Sequence, residues 1–126
     1  MPPVPMPKIL CVDDEPNILK TLKRLFYGEP FQVLTATSGH EGLEILRATD
    51  NIGLILSDQR MPGMSGTEFL EAAKAMAPEI PRIILTGYAD KQAGLDALER
   101  GGACCILAKP WKEDELMQAV RENMLP

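Results

Sequence analysis

No apolar run in this chain approaches the ~20 consecutive residues that spanning a bilayer requires, so nothing in it reads as a membrane span. Basic residues are short as well. Thirteen Lys and Arg stand against eighteen Asp and Glu, and the net charge of −5 opposes nonspecific attraction to DNA or anionic lipid. Any DNA-directed output would have to come from another chain or domain. Cysteine is scarce: Cys11, Cys104 and Cys105 form an odd set without a CxxC pair, which leaves redox and metal roles unsupported. Each lies in an apolar run, where a free cysteine behaves as a small hydrophobe, and all three are expected to be buried thiols. His40, the single histidine, falls in the first turn of a predicted surface helix and is expected to be exposed. Neither GxxxxGK followed by Ser or Thr nor GxGxxG occurs, so nucleotide binding by a phosphate loop or a dinucleotide turn has no support.

What is present describes one soluble globular domain: 126 residues, 45% hydrophobic and 25% charged, enough chain to bury a core. Residues 1–7, MPPVPMP, hold four of the eleven prolines and no apolar signal region. They read as a disordered lead to a domain over residues 8–126. With nothing directing export, the expected location is the cytoplasm.

Short apolar runs alternate five times with helical patterns, the sequence signature of βαβ units and a parallel sheet. The strands are predicted at Lys8 to Val12, Phe31 to Ala36, Ile52 to Ser57, Pro81 to Thr86 and Cys104 to Ala108. Four of these are nearly continuous apolar runs, as strands covered on both faces should be. The first helix, Pro16 to Tyr27, opens with an early proline and places Ile18, Leu22, Leu25 and Phe26 on one face. Helix two (Gly39 to Ala48) and helix three (Gly66 to Ala77) begin with Ser38/Glu41 and Ser65/Glu68 in capping-box spacing. Helix four, Asp90 to Arg100, is poor in large apolar residues, with Ala93, Ala97 and Leu98 as its buried candidates, and is expected to be the most mobile element. Helix five, Lys112 to Met124, packs on Leu116, Val120 and Met124. Trp111 just before it is expected to pack at the helix start rather than to anchor a partner.

In open α/β sheets, ligands gather outside the carboxyl ends of the strands. Strand one ends there in Asp13-Asp14-Glu15, strand three in Asp58, strand four in Thr86 and strand five in Lys109. Each residue alone has a plainer role: the acidic pair as a helix cap, Asp58 as a turn residue before Pro62-Gly63, Thr86 as a strand-end hydroxyl, Lys109 as a surface charge. Together they make a phosphate and metal set. Carboxylates packed together raise one another's pKa unless a cation compensates them, and magnesium takes such hard oxygen ligands while keeping waters. A carboxylate can form an acyl phosphate once metal and ammonium neutralise the phosphoryl oxygens.

Through Val12-Asp13-Asp14-Glu15, Asp58 followed by Met61-Pro62-Gly63-Met64-Ser65-Gly66, Leu85-Thr86-Gly87 and Lys109-Pro110-Trp111, the chain resembles the response-regulator receiver family over residues 8–126. The resemblance implies an α/β fold, a doubly wound five-stranded parallel sheet in flavodoxin-like order 2-1-3-4-5 with five helices on both faces. It implies that Asp58 accepts a phosphoryl group from a sensor histidine kinase or phosphotransfer protein. Asp14 and Asp58 would ligate Mg2+ directly, Asp13 through water, with the Arg60 backbone carbonyl completing the protein ligands. Thr86 and Lys109 would bind the phosphoryl oxygens, and the bond before Pro110 would be cis. The chain would act as a signalling switch rather than a turnover enzyme, changing its helix-four and strand-five face to control an output domain or downstream protein. A homodimer is compatible with this; direct contact with nucleic acid or membrane is not expected.

There are departures. Ile106 stands where many members carry a rotating Tyr or Phe, which puts the usual aromatic switch in doubt. Gln59 and Arg60 resemble a subgroup reading Asp-Gln-Arg-Met-Pro-Gly. Arg60 and Tyr88, two residues past Asp58 and Thr86, are expected to border the approach of hydrolytic water and to prolong the phosphorylated state. A haloacid-dehalogenase-type phosphatase is a rival reading, but such enzymes place a second Asp two residues after the nucleophile, and Arg60 is there instead. A pseudo-receiver would have lost part of the set that is intact here.

Overall fold

The computed structural model of the chain describes residues 6–87 and 91–125. Five strands alternate with five helices: β1 (Lys8–Val12), α1 (Pro16–Leu25), β2 (Gln32–Ala36), α2 (Gly39–Ala48), β3 (Ile52–Asp58), α3 (Gly66–Met76), β4 (Arg82–Gly87), α4 (Lys91–Glu99), β5 (Cys105–Lys109) and α5 (Glu113–Asn123). Every strand pairing is parallel and the order is β2-β1-β3-β4-β5, so the flavodoxin-like expectation holds.

Side chains alternate across each strand and feed two cores. Ile9, Cys11, Leu54, Leu56, Ile83 and Leu85 face α1 and α5, where Leu19, Leu22, Phe26, Leu116 and Val120 close over them. Leu10, Val12, Ile55 and Ile84 face the other way and meet Leu43, Leu46, Phe69, Leu70, Ala73 and Ala97 of α2, α3 and α4. β3 lies in the centre and is buried along its whole length, whereas β2 and β5 are edges and half-buried. Truncating a fully buried ring such as Phe69 would cost about 3–5 kcal/mol, because a tight core collapses only partly around a void.

Several expectations need correction. Cys11 is buried, and its thiol is pushed up to about 12 by burial and by the nearby Asp13 charge. Cys104, however, is exposed and Cys105 is only half-buried, because β5 begins at Cys105 on the sheet edge and leaves Cys104 in the approach to it. Leu98 is also exposed; the short α4 buries Ala93, Gly94 and Ala97, and Leu98 falls off that face. At α2 the Ser38 side chain accepts the Glu41 N–H, but Glu41 reaches back to the Thr37 N–H, so the box is skewed by one residue. The Ser65/Glu68 box of α3 is complete. Most boundaries shift by one residue; α1 stops two earlier, since Phe26 leaves helical geometry at φ −90° and ψ 2°. Asp90, the expected start of helix four, lies outside the described residues, as do residues 1–5 of the expected lead.

Candidate functional site

Four strands end at one rim and deliver the site. β1 runs directly into Asp13, whose N–H donates to the Ala36 carbonyl at 3.1 Å, so the neighbouring strand fixes where this carboxylate begins. Asp13 Oδ1 accepts the Glu15 N–H at 2.9 Å, and its Oδ2 accepts the Lys109 Nζ at 2.8 Å. The same ammonium stands 3.1 Å from Asp58 Oδ1. Asp13 is 1% and Asp58 7% exposed, so this two-carboxylate bridge is largely out of water. Asp14, less buried, completes a set of three carboxylates whose oxygens lie within 4.8 Å of one another.

The electrostatics are those of a site short of positive charge. Burial raises the Asp58 pKa, the Asp13 charge raises it further, and Lys109 offsets only part. For Lys109, burial acts against the ammonium, but its hydrogen bonds to Asp13 and Asp58 outweigh that and the net shift is upward. One ammonium bridges two of the three carboxylates, Asp13 and Asp58. Thr86, on the rim of β4, has its Oγ1 buried with no hydrogen-bond partner, an arrangement that native structures rarely leave unexplained.

Local sequence dictates this geometry. Gly66 opens α3 because a Cβ there would overlap the Asp58 carbonyl and stand 2.7 Å from Ile84 Cδ1, so helix three can start directly beneath the carboxylate. The Gly66 N–H donates to the Gln59 carbonyl at 2.8 Å. Gln59 Oε1 accepts both the Thr67 N–H at 2.9 Å and the Thr67 hydroxyl at 3.0 Å, fastening the loop after β3 to the helix. The anchoring by Gln59 was not foreseen; a Gln after the acid with a Thr at the helix start is the signal that could have indicated it. Gly63, at φ +81°, occupies the left-handed turn in between. The Lys109–Pro110 peptide is cis.

Other predicted residues fall at the margins. Arg60 is exposed and, with Asp14, Gln59, Met61, Pro62 and Ser65, lines an open hollow of about 620 Å³ beside the carboxylates. Tyr88 lies outside the described residues. Ile106 is 36% exposed and borders a mainly apolar cavity of about 450 Å³ with Thr86, Gly87, Lys91, Gly94, Leu95 and Ala108. His40 is exposed, and Trp111 packs partly buried against the α1/α5 core.

A parallel sheet whose carboxyl rim gathers three carboxylates, a buried hydroxyl and a bridging lysine defines a class of phosphoryl-accepting α/β domains. The chain belongs to that class by descent: residues 9–121 match the response regulator receiver domain family, of which it is a member. It is 38% identical over 114 residues to the hydrogenase transcriptional regulatory protein HoxA of Cupriavidus necator, covering 90% of this chain and 23% of that protein. It is 35% identical over 120 residues to sporulation initiation phosphotransferase F of Bacillus subtilis, covering 93% of each. Among solved structures, the signal receiver domain of an HD domain-containing protein from Pseudomonas fluorescens Pf-5 superposes with a TM-score of 0.90 at 30% identity, over 94% of each chain. The chain spans about a quarter of the length of HoxA and of the other transcriptional regulators it matches. It is thus a two-component receiver, a phosphoryl-acceptor switch of a family that signals rather than turns over substrate. Among the described residues, no helix is long and apolar enough to cross a membrane.

Proposed function

We propose that Asp58 is the phosphoacceptor and that Asp13, Asp14, Asp58 and the Arg60 carbonyl hold a magnesium ion beside it. The observation that carries this reading is the Lys109 ammonium, 2.8 Å from Asp13 and 3.1 Å from Asp58 within a three-carboxylate set. The donor set fits the ion: hard, clustered oxygens in excess over positive charge. When bound, magnesium supplies the Lewis-acid neutralisation that lets a carboxylate meet a phosphoryl group.

The chain's own residues do the rest. An Asp58 carboxylate oxygen attacks phosphorus as the phosphorus–nitrogen bond of a kinase or phosphotransfer-protein phosphohistidine breaks, and the bonding pair returns to the imidazole, which takes up a proton. Lys109, already at Asp58, transfers its contact to a phosphoryl oxygen. The Thr86 hydroxyl, lacking a partner, donates to another. That draws the end of β4 inward next to the cavity under α4, where Leu95, Leu98 and Ile106 are exposed, and this face controls an output domain or partner. With Ile106 in place, the change needs no rotating aromatic. Arg60 borders the approach to Asp58 and, with Tyr88, slows hydrolysis. We place this switch in the cytoplasm.

The test is intact mass after incubation with acetyl phosphate. One phosphoryl increment with magnesium, none in EDTA and none in Asp58→Asn is expected; an equal increment in EDTA or in the Asn variant overturns the assignment.

A further inference from the structure

Arg82 opens β4 at the end of the sheet opposite the carboxylates and is 7% exposed, which is unusual for a charge. Its acceptors are backbone carbonyls. Nε donates to Gly101 at 2.9 Å, Nη1 to Ile80 at 2.8 Å and Pro78 at 3.3 Å, and Nη2 to Gly102 at 3.2 Å. A guanidinium alone offers such a fork of donors, and two of the carbonyls lie just past the C-terminus of α4, the negative end of its dipole.

The buried side of that end is close-fitting. Ala97 is fully buried, the Ala103 N–H returns to the Ala97 carbonyl at 3.0 Å, and the Cys104 N–H donates to the Arg82 carbonyl at 2.8 Å. A Cβ on Gly101 would stand 2.9 Å from Leu70 Cβ. The opposite end of α4 differs. There Gly94 rests on the tip of Ile106, to which an added Cβ would be 3.2 Å away, and the apolar cavity of about 450 Å³ opens alongside. Glycine within a helix also lowers local helix stability relative to alanine.

We infer that Arg82 is a positioning residue that pins the C-terminal end of α4 to the sheet and makes it the pivot about which the N-terminal half of the helix swings over Ile106. The stretch from Lys91 to Ala97 gives a lever of roughly 9 Å, so a swing of about 10° moves the N-terminal end by about 1.6 Å while residues 97–104 stay in place. The pinning needs no phosphoryl group; its use in signalling rests on the Asp58 reading.

Residue-resolved amide exchange of the whole chain separates the two claims. In the unliganded wild type, residues 97–104 should exchange more slowly than 91–95. Arg82→Met should speed exchange at 97–104 roughly tenfold or more and leave 91–95 within about twofold, with Arg82→Lys restoring part of the protection. With magnesium and beryllofluoride, amide shifts in the wild type should stop near Ala97 and in Arg82→Met should run on through Cys104. Uniform protection along α4, equal acceleration of both halves, or wild-type shifts as large at 97–104 as at 91–95 overturns the pivot. If Arg82→Met does not fold, the wild-type profile and Arg82→Lys decide. The fluorine signal of bound beryllofluoride is read in parallel; its absence counts against the Asp58 reading, and the pivot is then judged on unliganded exchange alone.

Discussion

At the carboxyl rim of the sheet three carboxylates cluster, two of them sharing one ammonium, and the Thr86 hydroxyl is buried with nothing to bond; at the amino rim a single guanidinium enters the interior and meets four carbonyls. Both rims bury polar atoms, and the same desolvation penalty applies to each. The difference lies in completion. Where every guanidinium nitrogen finds an acceptor, the group holds the shape of the fold, and where a hydroxyl has none, as at Thr86, the proposed phosphoryl group finds a donor unengaged. The two rims should therefore respond in opposite ways when their polar groups are removed.

The sharpest contrast is Arg82→Met, expected to lower the unfolding free energy by about 3 kcal/mol in urea titration, because several buried carbonyls lose their donor at once. A loss below about 0.5 kcal/mol would dissolve the contrast between the rims. Next, magnesium at about a hundredfold excess over its Kd should raise the unfolding free energy by about 2.7 kcal/mol, and Asp14→Ala should reduce that gain strongly. Thr86→Val is expected to stabilise the unliganded protein by about 1 kcal/mol, since it removes an orphaned hydroxyl, while weakening the beryllofluoride-induced shifts of α4. Thr67→Val is the control: that hydroxyl is bonded to Gln59, and its loss should destabilise by a similar amount. The smallest effect concerns access alone. A thiol alkylating agent followed by mass should label Cys104 readily and Cys11 only after unfolding; early labelling of Cys11 would show that the sheet interior opens.

Much of the carboxyl rim is legible in the chain because each of its groups directly follows an apolar run, and strand ends are where parallel sheets put their chemistry. Periodicity likewise reveals the strands and the helix faces. The amino rim is not legible. Arg82 reads as one polar residue at the start of a strand, and its acceptors come from residues 78–80 and 101–102, which only the folded chain brings together. The exposure of Cys104 and Leu98 was hidden for a related reason: an apolar run tells that a segment prefers burial, but not that it borders a sheet edge or a helix too short to cover it.

The glycine at the start of α3 ties two kinds of selection to one codon. Because a side chain at position 66 would displace the Asp58 carbonyl, the backbone under the acidic side chain and the seat of the helix fail together. A saturation library scored separately for cellular abundance and for phosphorylation should lose both scores at position 66 for nearly every substitution. At position 58 it should lose the second and keep the first, so the two columns of the same map would distinguish a residue that reacts from one that makes room for it.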